Sequence, residues 1–378
     1  MSPSLMERKT MATKRIALTV MIGLLAASQL PAAFTPTGNP LARGEQAPSR
    51  QSAKPLAGPY LGQTPPGSTP QLFAKGVVST EADELNSVFT PDGKEFYFTV
   101  RGPDGRMTIM RMAIENGQWS TPRPASFSGR WLDADPFITS DGQRLYFCSN
   151  RPVQGDRMKD LDIWVCERSG NGWSEPRNLG EPINSPSMEL YPSVTKDGTM
   201  YFQSTRPGGP GGGDWWRARL RDGQYVNAEC LPAPINTPGE AGDGFIAPDE
   251  SYLIVSTLPE GNMPVVLRDS GSNAVPATGA QAGSAPPPPP PPTGRSTSAS
   301  RPVTRLFLSL RRPDGTWSPL VTLEGGINSP DVGVNCQMLS PDGRYLFFTR
   351  GFTSASGDIY WIDASVIEDA KRRAANGR

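Results

Sequence analysis

Along most of this chain, short runs of alternating apolar and polar residues are separated by turn-forming pairs. The run Ser87-Val88-Phe89-Thr90-Pro91 leads into Asp92-Gly93, and Lys94-Glu95-Phe96-Tyr97-Phe98-Thr99 follows. The same order returns around Asp141-Gly142, Asp197-Gly198 and Asp342-Gly343, and in weaker form at Asp249-Glu250. A period-two pattern predicts strands with one face buried, and Asp-Gly between two such runs predicts a tight hairpin. The second copy shows the whole unit. Strand a covers 135–139 and strand b covers 144–149. A polar loop leads to strand c at 162–166, and Gly170-Asn171-Gly172 turns into strand d from Trp173. The linker Ile183-Asn184-Ser185-Pro186 then leads to the next copy, and it recurs as Ile235-Asn236-Thr237-Pro238 and Ile327-Asn328-Ser329-Pro330.

Four short antiparallel strands repeated in tandem describe a β-propeller. The interval between Asp249 and Asp342 is nearly double the others. It contains no further strand-a and turn signal, only a Gly/Ser/Ala-rich tract with seven prolines, Pro286–Pro292. This predicts an insertion of about 259–303 between strands b and c of the fourth blade, with the proline run a stiff spacer. The count is therefore five. Copy five ends at strand c (358–362) and lacks its own strand d, so a segment near 71–78 is expected to close the ring and cover the open edge. The expected fold is all-β: a five-bladed propeller of four-stranded antiparallel blades over 71–364, then a helical tail over 365–378.

The pattern Pro-Ser-x-Ser-x-Asp-Gly-x-x-Leu-Tyr-Phe-x-Ser-x-Arg, followed by Gly-Asp-Ile-Tyr, resembles the TolB-type (WD40-like) repeat of exported bacterial proteins. That resemblance implies a propeller that binds a protein or another ligand in the periplasm or outside the cell. It carries no catalytic motif onto this chain.

The N-terminus agrees with export. Lys14-Arg15 precede an apolar run from Ile16 to Ala27 with small residues at its end, which predicts a signal peptide over 1–28, too short for a membrane span. A Pro/Gly/Ala-rich lead-in over 29–70 is expected to stay disordered. The mature protein would then be periplasmic or secreted, with no membrane span. Lys plus Arg and Asp plus Glu number 37 each among 378 residues, so no basic footprint points to nucleic acid. Histidine is absent, which removes the commonest general base and every Ser-His or Cys-His pair.

The candidate chemistry is therefore carboxylate and aromatic. Eight residues before the turn aspartate stand Glu84, Asp133 and Glu189. Six before it stand Asn86, Asp135, Tyr191, Asp243 and Cys336. The shared spacing places these groups around one rim of the channel. Three readings compete. The carboxylates cap their own linkers, or they hold a hard cation such as Ca2+, or a pair such as Asp135 with Glu189 or Asp243 hydrolyses glycosides without histidine. Trp131, Trp215 and Trp216 break the repeat and are candidates for a sugar or peptide platform. The repeated Trp119, Trp173 and Trp317 read as packing residues. The Arg at the end of strand b (Arg101, Arg151, Arg206, Arg350) and the Asp opening strand c (Asp162, Asp214, Asp358) read as a clamp across each b–c hairpin. Of the four cysteines, Cys148 and Cys166 would face each other if that hairpin paired residue 152 with 162, which would bring the pair close enough to bridge as a possible disulfide. The binding reading leads: a non-enzymatic propeller taking a protein or glycan through its rim loops and channel mouth. A carbohydrate-active enzyme is the alternative. Nothing marks an oligomer interface.

Overall fold

The computed structural model describes residues 56–155, 158–239, 241–258, 303–351 and 357–377. The expected signal peptide, most of the lead-in and nearly all of the Pro-rich insertion lie outside the described residues.

Five antiparallel sheets form five blades. A short N-terminal strand, β1 (Gln71–Leu72), precedes them. Blade 1 holds β2 (Asp83–Phe89), β3 (Glu95–Arg101), β4 (Met107–Glu115) and an outer strand broken into β5 (Gln118–Trp119) and β6 (Arg123–Pro124). Blade 2 holds β7 (Asp133–Ile138), β8 (Arg144–Ser149), β9 (Asp162–Ser169), β10 (Gly172–Trp173) and β11 (Arg177–Asn178). Blade 3 holds β12 (Glu189–Val194), β13 (Met200–Ser204), β14 (Asp214–Arg221) and β15 (Gln224–Cys230). Blade 4 holds β16 (Ala241–Ile246), β17 (Tyr252–Thr257), β18 (Arg305–Leu310) and β19 (Val321–Thr322). Blade 5 holds β20 (Val334–Leu339), β21 (Tyr345–Arg350) and β22 (Asp358–Asp363). The chain ends in helix α1 (Ser365–Ala375), whose Val366, Ile367 and Ala370 pack on the core shared by blades 4 and 5.

The fold follows the expected outline closely. Strands β17 and β18 pair from Tyr252 with Leu310 to Thr257 with Arg305, so the insertion leaves one blade and returns to it. The innermost strands pack in order, β2 on β7, β7 on β12, β12 on β16, β16 on β20 and β20 back on β2. Strand β1 supplies the missing outer strand of blade 5, with Gln71 opposite Trp361 and Leu72 opposite Tyr360. In four of the five turns the Asp carboxylate accepts a hydroxyl from two residues behind and an amide from two ahead, whereas Asp249 takes both from Ser251 ahead of it. Asp141 takes the Thr139 hydroxyl at 2.5 Å and the Gln143 N–H at 2.9 Å. Gly142 follows at φ +70°, where a Cβ is disfavoured. In the fourth copy Glu250 occupies that position at φ +62°, and its carboxylate accepts the hydroxyl of Tyr201 from blade 3. A bond between blades offsets the strain there.

The core is divided by the blades. One buried cluster fills each gap between neighbours: Val88, Tyr97, Leu145 and Phe147 between blades 1 and 2; Phe137, Tyr146, Leu190 and Phe202 between 2 and 3; Tyr201, Trp215, Leu253 and Trp317 between 3 and 4. Strand alternation produces this arrangement, because successive side chains point to opposite sheet faces and each face meets a different neighbour.

Three expectations are corrected by the packing. From residue 56 the lead-in is packed against the ring. Leu61 is fully buried, and Tyr60 lies against Phe89, Tyr345 and Trp361 with ring centroids 5.5, 5.0 and 5.7 Å away. Leu56 and Gly58 carbonyls accept the Trp119 backbone and indole N–H, each at 2.8 Å, and the Gly67 carbonyl accepts the Asp363 N–H at 3.1 Å. The segment is poor in apolar residues, but the few it has fall on the seam between blades 5 and 1.

The second correction concerns the cysteines. The β8–β9 register pairs Leu145 with Cys166 and Cys148 with Ile163. The hairpin is three residues out from the alignment that would have faced the two thiols. Cys148 packs between blades 2 and 3 and Cys166 between blades 1 and 2, on opposite faces of the sheet, and all four cysteines are unbridged.

Third, the strand-b arginines do not clamp the strand-c aspartates. Arg151 donates to Asp133 at 2.7 Å and to the Phe127 carbonyl at 2.9 Å. Arg206 reaches Glu189 at 3.2 Å and the Pro182 and Ile183 carbonyls. Arg350 reaches the carbonyls of Gly326 and Ile327. Each tethers the linker that enters strand a, and each lies over aromatic rings of its own blade, as Arg206 lies over Phe202 and Trp216.

Candidate functional site in the central channel

The two sets of strand-a residues separate sharply in the fold. The set eight residues before the turn is consumed by its own blade. Glu84 accepts the Thr80 hydroxyl at 2.5 Å and the Thr80 N–H at 3.1 Å. Asp133 accepts Arg151 and the Ser128 hydroxyl at 2.9 Å. Glu189 accepts the Ser185 hydroxyl at 2.6 Å, the Ser185 N–H at 2.9 Å, the Ser204 hydroxyl at 2.7 Å and Arg206. All three are buried. Burial is the largest influence on Glu84 and Glu189 and pushes both carboxyls up, against the pull of these donors.

The set six residues before the turn reaches the axis. Every innermost strand carries a register shift at this point: after Leu85 in β2, Ala134 in β7, Leu190 in β12, Ala241 in β16 and Asn335 in β20. A bulge places an unpaired residue out of the ladder and turns it. The residues so placed are Asn86, Asp135, Tyr191, Asp243 and Cys336, and together with Gln337 they line one central cavity. Four of them sit at positive φ: Asn86 +38°, Asp135 +57°, Tyr191 +52° and Cys336 +59°. That conformation is costly for a tyrosine or cysteine, and here four blades share it.

Bonds run round the axis from blade to blade. The Asp135 carboxylate accepts the Tyr191 amide and the Cys148 thiol. The Asp243 carboxylate accepts the Tyr191 hydroxyl, the Cys336 thiol and, at 2.6 Å, the Cys336 N–H. Gln337 Nε2 donates to the carbonyls of Asp243 and Ile254, both at 3.0 Å, while its Oε1 is buried with no partner among the protein atoms. Burial pushes the Asp135 carboxyl up to about 7, and the charge of Asp243 adds to the shift. Asp243 is raised as well, by burial foremost. Desolvation drives the thiol of Cys336 and the phenol of Tyr191 well above their ordinary values.

The cavity has a volume of about 20 Å³. That is room for one water, which needs roughly 10–15 Å³ on this measure, and far below the ~300–1,000 Å³ of pockets that take organic ligands. Glu189 does not line it. The three carboxylates proposed for glycoside hydrolysis are thus divided between a saturated clamp and a cavity too small for a sugar ring.

The aromatic candidates divide as well. Trp215 is fully buried, its indole N–H bonded to the Gly242 carbonyl at 2.9 Å, and Trp216 is buried beneath Arg206. Neither forms an exposed platform, because strand alternation sends one into each neighbouring interblade core. Trp131 is half-buried with Arg130 stacked over it at 4.9 Å. It precedes Leu132, which exchanges hydrogen bonds with Asn150, and the Asn150 carbonyl accepts the Lys159 N–H at 3.3 Å. Close by, Val153 and Met158 are 51% and 61% exposed, the two large apolar side chains most open to solvent among the described residues.

Two further groups take part that the strand-a spacing does not mark. One is Gln337, adjacent to the aligned position and visible only once β20 bulges. The other is the linker asparagine: Asn184, Asn236 and Asn328 each hold both the N–H and the carbonyl of a strand-c residue (Ile163, Trp215 and Leu306) at 2.8–3.1 Å. The recurrence of Ile-Asn-x-Pro was its signal.

No protein-family model matches the chain, and no curated protein matches its sequence. Among solved structures it is similar to a protein assigned as TolB of Agrobacterium tumefaciens, 14% identical, over 75% of this chain and 78% of that one, with a TM-score of 0.43. The catalytic domain of a Coprinopsis cinerea GH62 α-L-arabinofuranosidase is 9% identical over 78% and 97%, with a TM-score of 0.41. Prolyl oligopeptidase B of Galerina marginata is 13% identical over 74% of this chain and 32% of its own length, with a TM-score of 0.36.

Proposed function

We propose that this chain is an exported propeller that binds a protein or glycan through the loops of one rim, without catalysing a reaction on it. The observation that carries the reading is the state of the carboxylates. Glu84, Asp133 and Glu189 are bonded within their own blades, and Asp135 and Asp243 face a cavity of about 20 Å³. A glycosidase needs two carboxyls flanking a bound sugar, and this arrangement offers them no space.

The rim follows from strand direction. In antiparallel blades the start of strand a, the end of b, the start of c and the end of d lie at one end. The linkers, the b–c loops, Trp131, Val153 and Met158 therefore share that end with the channel mouth. Two exposed apolar side chains on a b–c loop, at the end that also carries Trp131, suit a partner surface. No helix among the described residues is long and apolar enough to cross a membrane, and periplasmic or extracellular residence rests on the N-terminal signal pattern.

The test is a protein and glycan array probed with the mature chain, with Asp135→Asn and with a Val153→Glu, Met158→Glu double variant. Binding that survives the first and weakens at least ~10-fold in the second, about 1.4 kcal/mol, is expected. Product formation that Asp135→Asn abolishes would overturn the binding reading.

A further inference from the structure

We propose that the propeller axis is a binding site for one hard cation of the size and charge of Ca2+, held between Asp135 of blade 2 and Asp243 of blade 4 with the amide oxygen of Gln337 from blade 5. This goes beyond the rim-binding reading and does not depend on it. Three observations carry it. The first is convergence: bulges in β7, β16 and β20 bring these side chains, with Asn86 and Tyr191, to one cavity on the axis. The second is size, since about 20 Å³ admits a single body no larger than a water molecule. The third is Gln337. It is only 2% exposed, its Nε2 is fixed by two carbonyls, and its Oε1 is left without a protein partner beside two carboxylates that repel one another. An unmatched amide oxygen beside two carboxylates is a set of acceptors that one cation would satisfy together.

The chemistry selects the class of ion. Among the described residues, no three His, Cys, Asp or Glu side chains converge as metal ligands. A tetrahedral zinc set of nitrogen and sulfur is therefore not supplied. Ca2+ accepts a mixed shell of carboxylate, amide and water oxygens at ~2.3–2.6 Å with loose geometry. Asp135, Asp243, Gln337 and the Asn86 amide provide such oxygens. A hard cation takes oxygen in preference to sulfur, so the Cys336 side chain lies outside the proposed ligand set. The ion would tie three blades at their innermost strands.

Metal-stripped protein is titrated with CaCl2 by calorimetry and by thermal unfolding, and with Tb3+ by luminescence sensitised through Tyr191. The expected result is one site per chain. The unfolding midpoint should rise by several degrees in about 10 mM CaCl2, which exceeds the ~10⁻⁴–10⁻³ M affinities of weak extracellular sites. Asp135→Asn keeps an oxygen for the Tyr191 amide and the Cys148 thiol, and it should weaken binding more than tenfold. The exposed Asp314→Asn should leave it unchanged. Gln337→Met removes the amide oxygen and should also weaken binding, which separates an axial site from any surface carboxylate pair. An unchanged midpoint with no sensitised luminescence means the axis holds a proton or a water, and overturns the proposal. Binding that persists in Asp135→Asn overturns it equally.

Discussion

Closure of the ring is the most exposed part of this fold, and Phe73 tests it. The residue follows β1 and is fully buried in the seam between blades 5 and 1. Its ring lies 5.4 Å from Phe96, 6.3 Å from Phe89, 5.1 Å from Phe347 and 5.2 Å from Trp361, and its N–H donates to the Ile359 carbonyl at 2.8 Å. Phe96 and Phe89 belong to blade 1, whereas Phe347 and Trp361 belong to blade 5, so this one ring bridges the first and last blades. Phe73→Ala removes the ring and leaves a cavity in a rigid aromatic cluster, at a cost of about 3–5 kcal/mol. Against a total stability of about 5–15 kcal/mol that is a large fraction, and it corresponds to a midpoint shift on the order of 10 °C in a domain of this size. Urea unfolding followed by tryptophan fluorescence and far-ultraviolet circular dichroism measures it, with the exposed Gln71→Ala as control. A lower transition midpoint at unchanged slope is expected for Phe73→Ala and a change within about 0.5 kcal/mol for the control. A loss below about 1 kcal/mol, or one no larger than the control, would refute closure by the N-terminal segment.

Glu189→Gln breaks a buried pair with Arg206 and should cost about 3–5 kcal/mol in chemical denaturation while leaving ligand binding intact, since Glu189 serves the linker; lost binding at undiminished stability would contradict that assignment. Hydroxyl bonds from Thr195 and Ser251 hold Asp197 and Asp249 below the usual carboxylate range, so they stabilise the fold above about pH 4, and that contribution is lost as pH falls through their depressed values. Thermal scans between about pH 2 and 5 should fall less steeply for an Asp197→Asn, Asp249→Asn double variant, and parallel curves would count against the turn bonds. Thiol titration of the unfolded, unreduced protein should find all four cysteines free; a cross-linked Cys148–Cys166 peptide in mass spectrometry would overturn the β8–β9 register.

Much of the architecture was legible in the order of residues. Asp92-Gly93 and its copies mark the hairpins, the alternation in Phe96-Tyr97-Phe98 and Leu145-Tyr146-Phe147 assigns each side chain to a face, and the gap around Pro286–Pro292 identifies an insertion in place of a sixth blade. These signals are local. A turn pair or a period of two acts over a few residues whatever surrounds it, so the blade count, the closure by β1 and the scaffold character of the repeats follow from the chain alone.

The site depended on relations the chain order does not contain. Glu84 and Asp135 are both acidic residues at repeat-related positions, yet one is spent on Thr80 and the other faces the axis. A bulge in each innermost strand makes that difference, and a bulge costs one residue of register that no alternation pattern announces. The same shift brings Gln337 to the cavity. The hairpin register likewise sends Cys148 and Cys166 to opposite faces, and the neighbouring blades bury Trp215 and Trp216. The sequence alone determined what each residue could contribute and which strand would carry it. The tertiary structure decided which groups meet, because a one-residue displacement between paired strands reverses every face beyond it.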